Sequence, residues 1–130
     1  PATVKITQKH IGCAEALELP SPACGVKPVV LVAAALVDAD GRVLLAQRPE
    51  GRSMAGLWEF PGGKVKSGET PEYALMRGLE EELGVITRPC CFSPAAFASH
   101  AYDDFHLLMP LFVCRVWKGA PQPREGQTRP

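Results

Sequence analysis

Residues 63 to 85 read GKVKSGETPEYALMRGLEEELGV, a glycine-led loop that runs straight into one amphipathic helix, and this stretch narrows the possible folds more than any other. Thr70 can accept hydrogen bonds from the exposed amides of a first helical turn, and Pro71 suits the first helical position, so the helix is expected to start there. It should run to about Leu83. Leu75, Leu79 and Leu83 recur every fourth residue and form one buried stripe, and Gly84 supplies the left-handed stop. A helix with one apolar face must be covered, and the flanking sequence offers strands to cover it.

From Val29 the run VVLVAAALVD is rich in β-branched and small apolar residues and reads as a strand buried on both faces. It ends at Asp38-Ala39-Asp40-Gly41, strong turn chemistry, so RVLLAQR at 42 to 48 is expected as its hairpin partner. Leu57 to Phe60 is a shorter extended piece stopped by Pro61-Gly62-Gly63. Cys91 to Tyr102 and His106 to Trp117 read as two further strands around Asp103-Asp104. The expected class is α+β, a mixed β-sheet covered by helices. At 130 residues the chain can bury one core but not two. Residues 1 to 28, interrupted by Pro20, Pro22, Gly25 and Pro28, read as a loosely attached N-terminal extension, and residues 29 to 130 as the domain.

Fourteen basic residues balance fourteen acidic ones, so no global field favours long nucleic acid or an anionic membrane. Any anionic ligand must be met by a local site. The longest mainly apolar run, Pro28 to Val37, has ten residues against the roughly 20 that span a bilayer. No secretory signal is readable, and the expected compartment is the cytoplasm. Five cysteines, at 13, 24, 90, 91 and 114, show no paired zinc-ligand spacing. Adjacent Cys90 and Cys91 point to opposite faces of an extended chain and are not expected to pair. Free thiols are the reading.

The acidic end of the helix carries the chemistry. Positions 78, 81 and 82 are three and four residues apart and share a face, on which Glu81 and Glu82 can converge. Carboxylates brought together repel unless a hard cation lies between them, and magnesium or manganese prefers oxygen ligands. Arg77 precedes Glu81 by four residues and can hold its carboxylate with a forked hydrogen bond. A solvated acidic helix end is the alternative, although acids near a helix C-terminus are disfavoured by the helix dipole.

The same segment resembles the Nudix box, Gly-x5-Glu-x7-Arg-Glu-aliphatic-x-Glu-Glu-x-Gly-aliphatic. Gly63, Glu69, Arg77, Leu79, Glu81, Glu82, Gly84 and Val85 match in register over 23 residues. Resemblance to the MutT-like branch extends from about Val29 to Gln127, including AQRPEG, LWEFPGGK and PREGQ. It implies an α/β/α sandwich and metal-dependent hydrolysis of a nucleoside triphosphate, or a related nucleoside diphosphate derivative, to a monophosphate and pyrophosphate. That activity would suit removal of oxidised nucleotides such as 8-oxo-dGTP, or a CTP-like substrate, with Mg2+ as cofactor and Mn2+ able to substitute. By position, Glu81 and Glu82 would be the main metal ligands, with the Gly63 carbonyl assisting and Glu125 closing the shell. Glu69 and Arg77 would orient them. Arg48, Lys64, Phe60 and Glu59 fall in segments resembling the family's substrate cleft and are the candidate substrate-binding residues.

Two departures stand out. Gly78 replaces the Glu of the family's Arg-Glu pair and removes one oxygen donor, and a helical glycine costs about 1 kcal/mol against alanine. A reduced rate with metal binding partly retained is expected. The chain also ends soon after PREGQ, where MutT-like relatives continue, so the domain is expected to be C-terminally shortened and either monomeric or homodimeric. A catalytically silent nucleotide-binding module is the alternative that both departures raise. Trp58 and Phe60 are read as core rather than as a base-stacking platform, and His100 and His106 as incidental residues at the edge of a turn. Phe97, Phe105 and Leu107 are read as ordinary strand core, with a nucleobase pocket as the other reading.

Overall fold

A computed structural model describes residues 12–20, 25, 27–48, 50, 51 and 56–122. The elements are a short helix α1 (Cys13–Ala16), strands β1 (Pro28–Leu36), β2 (Ala46–Gln47), β3 (Trp58–Glu59) and β4 (Gly62–Lys64), helix α2 (Pro71–Leu83), a 3-10 turn at Pro89–Cys91, and strands β5 (Phe92–Ala101) and β6 (His106–Cys114). Four strands form one sheet in the order β4-β1-β6-β5. It is mixed, because β1 runs antiparallel to β4 and parallel to β6, while β5 and β6 form an antiparallel hairpin. Among the described residues, α2 covers one face, and none of the residues of α1 is buried.

Local chemistry accounts for α2. The Thr70 hydroxyl accepts from the Tyr73 amide at 3.2 Å, Pro71 occupies the first turn, and Gly84 closes the helix at φ 70° with its amide donating to the Glu80 carbonyl. The helix therefore has the expected bounds. Leu75, Leu79 and Leu83 are fully buried against Val32, Ala34 and Leu36 of β1, with Phe92, Phe112 and Cys114 completing the core. Burying each leucine contributes about 1.5–3 kcal/mol, which is what fixes α2 to the sheet.

The hairpin expectation needs correction. Asp38 accepts from the amides of Asp40 and Arg42, so the turn forms. The returning chain makes a Val37–Val43 bridge, with the Asp38 amide donating to the Arg42 carbonyl and the Leu44 amide to the Leu36 carbonyl, then leaves, and Ala46–Gln47 pairs with β3 in a separate two-stranded sheet. The reason is edge occupancy. One edge of β1 is taken by β6 along the whole strand, and the other by β4 at Leu31 to Ala33, so little is left for a full-length partner. The last strand also stops early, at Cys114 rather than Trp117, where the Cys114 thiol turns back to the Val116 carbonyl.

Tight backbone contacts set the height of α2 above the sheet. A Cβ on Gly62 would lie 1.8 Å from the Val32 carbonyl oxygen, and a Cβ on Gly78 would lie 3.1 Å from the Gly62 carbonyl oxygen. Gly62 and Gly78 thus let β1, β4 and α2 approach as bare backbone. The buried stripe of α2 accordingly includes Gly78 and Glu82 as well as the leucines.

Of the aromatic and thiol expectations, some hold. Trp58 is 43% exposed and is not core, Phe97 is 71% exposed, and Leu107 is fully buried. Cys90 and Cys91 are unpaired thiols, as are Cys13 and Cys114, while Cys24 lies outside the described residues. Burial raises the Cys114 thiol above its ordinary pKa. No helix of the described residues is long and apolar enough to cross a membrane.

Two stability tests follow from these contacts. Gly78→Ala should leave the thermal midpoint unchanged or lower, although alanine normally stabilises a helix interior by about 1 kcal/mol; a clear rise would show that the α2–β4 contact has slack. Thr87 is buried and its hydroxyl has no hydrogen-bond partner among the described residues. Thr87→Val should therefore be neutral or stabilising by chemical denaturation, since no bond is lost and a desolvated hydroxyl is removed.

Candidate active site

The loop between β4 and α2 is organised by one arginine. From the middle of α2, Arg77 donates from Nε to Glu69 Oε2 at 2.8 Å and from Nη2 to Glu69 Oε1 at 3.0 Å, a bidentate pair. Nη2 also donates to the Lys64 carbonyl at 3.0 Å, and Nη1 reaches Glu81 Oε2 at 3.1 Å. One guanidinium thus ties the end of β4, the loop and the far turn of the helix. Glu69 in addition accepts from the Lys66 amide at 2.9 Å, which closes the loop on itself.

The electrostatics follow. The Arg77 hydrogen bonds, helped by the Lys66 amide and opposed by desolvation, hold the Glu69 carboxyl at about 2 against an ordinary value of 4.5. Arg77 is held above its ordinary value, chiefly by Glu69 and further by Glu81. Both groups are charged at neutral pH, so the clamp is complete there.

Glu82 sits on the inner side of the same helix. It is 5% exposed, and its Oε2 accepts from the Gly62 amide at 3.4 Å. Glu81, one residue earlier, is half exposed and faces the loop. Two adjacent carboxylates therefore straddle the edge where α2 meets Gly62 and Gly63, one anchored on backbone and the other on Arg77. The Gly63 position is close to the helix, since a Cβ there would meet the Gly78 Cα at 3.9 Å.

Of the expected site residues, Glu69, Arg77, Glu81 and the backbone of Lys64 are brought into one network, with Glu82 beside it against the strand. The Lys64 side chain is exposed. Arg48 and Glu59, both expected to meet substrate, are paired with each other: Arg48 Nη1 lies 3.5 Å from each Glu59 carboxylate oxygen, and both side chains are nearly buried. They tie the end of β2 to β3 within the small sheet, and Phe60, which follows β3, is half-buried. Glu125 lies outside the described residues. At the hairpin tip, His106 Nε2 is 2.7 Å from the Ser99 hydroxyl, His100 packs edge-on to Tyr102, and Tyr102 stacks on Phe105.

Gly62 is the residue that sequence reasoning passed over. The signal for it was the glycine doublet: two adjacent residues without side chains, next to a helix with a glycine on its buried face, mark a place where backbones meet.

Among the described residues, no three His, Cys, Asp or Glu side chains come together where they could hold a metal ion. The two carboxylates of Glu81 and Glu82 still suit magnesium, which keeps several waters and binds through one or two carboxylates together with substrate phosphates. The donor set therefore fits a cation shared with a phosphate ligand.

A model of the NUDIX domain family matches residues 32–129. An 8-oxo-dGTP diphosphatase of Proteus vulgaris is 36% identical over 103 residues, covering 79% of this chain and 90% of that protein. The CTP pyrophosphohydrolase of Escherichia coli strain K12 is 53% identical over 57 residues, covering 44% of this chain and 42% of that protein. Among solved structures, that of the E. coli ORF135 protein superposes with a TM-score of 0.72 at 33% identity, covering 85% of this chain and 76% of that one.

The clamp yields a titration test. Because the folded-state value of Glu69 is depressed, its contribution to stability is present above about 4.5 and is lost as pH falls towards 2. Arg77→Met should return the Glu69 carboxyl towards 4.5, read by carbon-detected NMR, and flatten the acid side of the stability profile. An unchanged Glu69 titration in the variant would refute the clamp.

Proposed function

Since the chain belongs to the Nudix family, we propose that it hydrolyses nucleoside triphosphates to the monophosphate and pyrophosphate, using a divalent cation held at Glu81 and Glu82. The observation that carries this reading is the Arg77 clamp, which fixes Glu69 and Glu81 while Glu82 is pinned against the glycine strand. A solvated acidic helix end has no need of such anchoring, and a buried carboxylate such as Glu82 is costly unless it is hydrogen-bonded or meets a cation. The α+β fold with its loop-helix is shared with the relatives above.

Magnesium or manganese, when bound, neutralises phosphate oxygens and lowers the pKa of a bound water. The chain's own residues do the rest. Arg77 holds Glu81 Oε2, so this carboxylate needs little reorganisation when charge develops on the phosphate. The Gly62 amide orients Glu82 from the strand side. Glu69, kept ionised by Arg77, prevents the guanidinium from swinging towards the phosphates and competing with the cation. The Gly63 carbonyl would add an oxygen to the two carboxylates, and Lys64, exposed at the end of β4, would supply positive charge for a polyphosphate.

The substrate is a purine triphosphate carrying oxidation damage or a pyrimidine triphosphate of the CTP type. The names of the relatives favour both: an 8-oxo-dGTP diphosphatase over most of the chain, and a CTP pyrophosphohydrolase at higher identity over a shorter stretch. The role is nucleotide-pool cleansing.

Release of pyrophosphate from a panel of normal and oxidised triphosphates, with Mg2+ and with chelator, tests this directly. Turnover should vanish with chelator and fall by about 10²-fold or more in Glu82→Gln, the scale expected when an electrostatic group is removed from a reaction site. Binding of triphosphates with no pyrophosphate release under any condition would instead favour the silent binding module.

A further inference from the structure

Beyond α2 and beyond β6 the chain meets itself over a cavity that the hydrolase reading does not use. The Ile86 amide donates to the Lys118 carbonyl and the Lys118 amide to the Ile86 carbonyl, both at 2.9 Å. This reciprocal pair brings Ile86, Thr87 and Arg88 together with Val116, Trp117 and Lys118, and with Cys91 of the 3-10 turn they line a cavity of about 340 Å³. That volume falls within the size of small-molecule sites, about 300–1,000 Å³. None of the α2 carboxylates lines it.

The lining has three properties of a ligand site. Thr87 is 2% exposed, and its hydroxyl has no hydrogen-bond partner among the described residues. Such a group is uncommon in a folded chain, and a ligand that bonds with it removes its cost. Arg88 and Lys118 are exposed cations, and no acidic residue stands beside them in the lining. Arg88 Nη1 donates to the Thr87 carbonyl at 2.8 Å, which draws the guanidinium back towards the same residue. Finally, Ile86 and Val116 leave apolar surface exposed beside the half-buried Trp117. Trp117 also lines a larger cavity, but the charges there are already met, since Arg42 Nε donates to Asp38 Oδ2 at 2.8 Å.

We propose that the smaller cavity binds a small aromatic anion, its carboxylate or phosphate head between Arg88 and Lys118 and its ring against Trp117 and the apolar walls. The Thr87 hydroxyl finds its hydrogen-bond partner in the head. Guanidinium bonds to an oxyanion are charge-assisted and forked, so Arg88 orients the head as well as attracting it. The ring contributes apolar area and an aromatic contact. Selection thus depends on one anionic group attached to one ring, and the same ring with a neutral head binds poorly.

The test is an NMR titration of the 15N-labelled full chain with phenylacetate and with phenyl phosphate. Trp58→Phe leaves Trp117 as the sole tryptophan, so a single indole signal reports on the cavity. That signal and the amides of Ile86 to Arg88 and Val116 to Lys118 should shift saturably, and the tighter of the two probes identifies the head as carboxylate or phosphate. Phenylacetamide should bind at least about tenfold more weakly than phenylacetate, and replacing Arg88 and Lys118 together by Met should cost a similar factor. Thr87→Val should weaken binding about fivefold or more while its thermal midpoint stays level or rises, a combination that a misfolded variant does not give; Thr87→Ser should keep the affinity. Shifts that do not saturate, that phenylacetamide reproduces, or that survive in Thr87→Val or in the doubly substituted chain would overturn the proposal. Displacement of the probe by a non-hydrolysable triphosphate with Mg2+ would also overturn it, because the cavity would then belong to the hydrolase site.

Discussion

Everything about the site depends on how closely three pieces of backbone meet. Gly62 lies on β1 with no space for a side chain, and Gly78 lies on Gly62 with barely space for one. Because the sheet and helix touch there, the carboxylates on the next turn of α2 come within reach of strand amides, and Glu82 accepts from Gly62. Moving the helix outward by the width of a methyl group would separate the acids from the glycine strand and open the core beneath Leu79. The leucine stripe holds α2 down; the glycines decide how far down it can go.

Arg77 adds the second constraint. A loop of polar and glycine residues such as Lys66-Ser67-Gly68 has little packing to define it, and Glu69 would otherwise be one of many conformers. The guanidinium reads the loop, the strand end and the helix at once, through Glu69, the Lys64 carbonyl and Glu81. Its planar, five-donor geometry makes this possible; a lysine could meet any one of these oxygens but not all of them.

The helix was legible almost to the residue, because Thr70, Pro71, Gly84 and the leucine spacing are local signals that tertiary structure had no reason to override. The Arg77 clamp was legible in part: the four-residue step to Glu81 is a helix rule, whereas the bond to Glu69 came only with the family pattern. What could not be read was edge occupancy. The sequence RVLLAQR is a good strand and follows a good turn, but β1 has just two edges, and β4 and β6 occupy most of both. The pairing of Arg48 with Glu59 was not legible either, since nothing in the local sequence links a cation to a carboxylate eleven residues on. Gly78 read as a missing ligand in the sequence; in the fold it is also a packing residue.

The outermost strand of the sheet has a consequence of another kind. β5 is ten residues long and forms one end of the strand order, with mostly exposed residues and Phe97 projecting from it. Such a border invites a second chain to zip on. Pro94, however, brings no amide hydrogen, and the pairing with β6 slips a register between Pro94 and Ala96, bending the border where a new strand would have to run straight. At high concentration the molecule thus carries its own guard against growing into ribbons, seated at Pro94 and the slip in register that follows it.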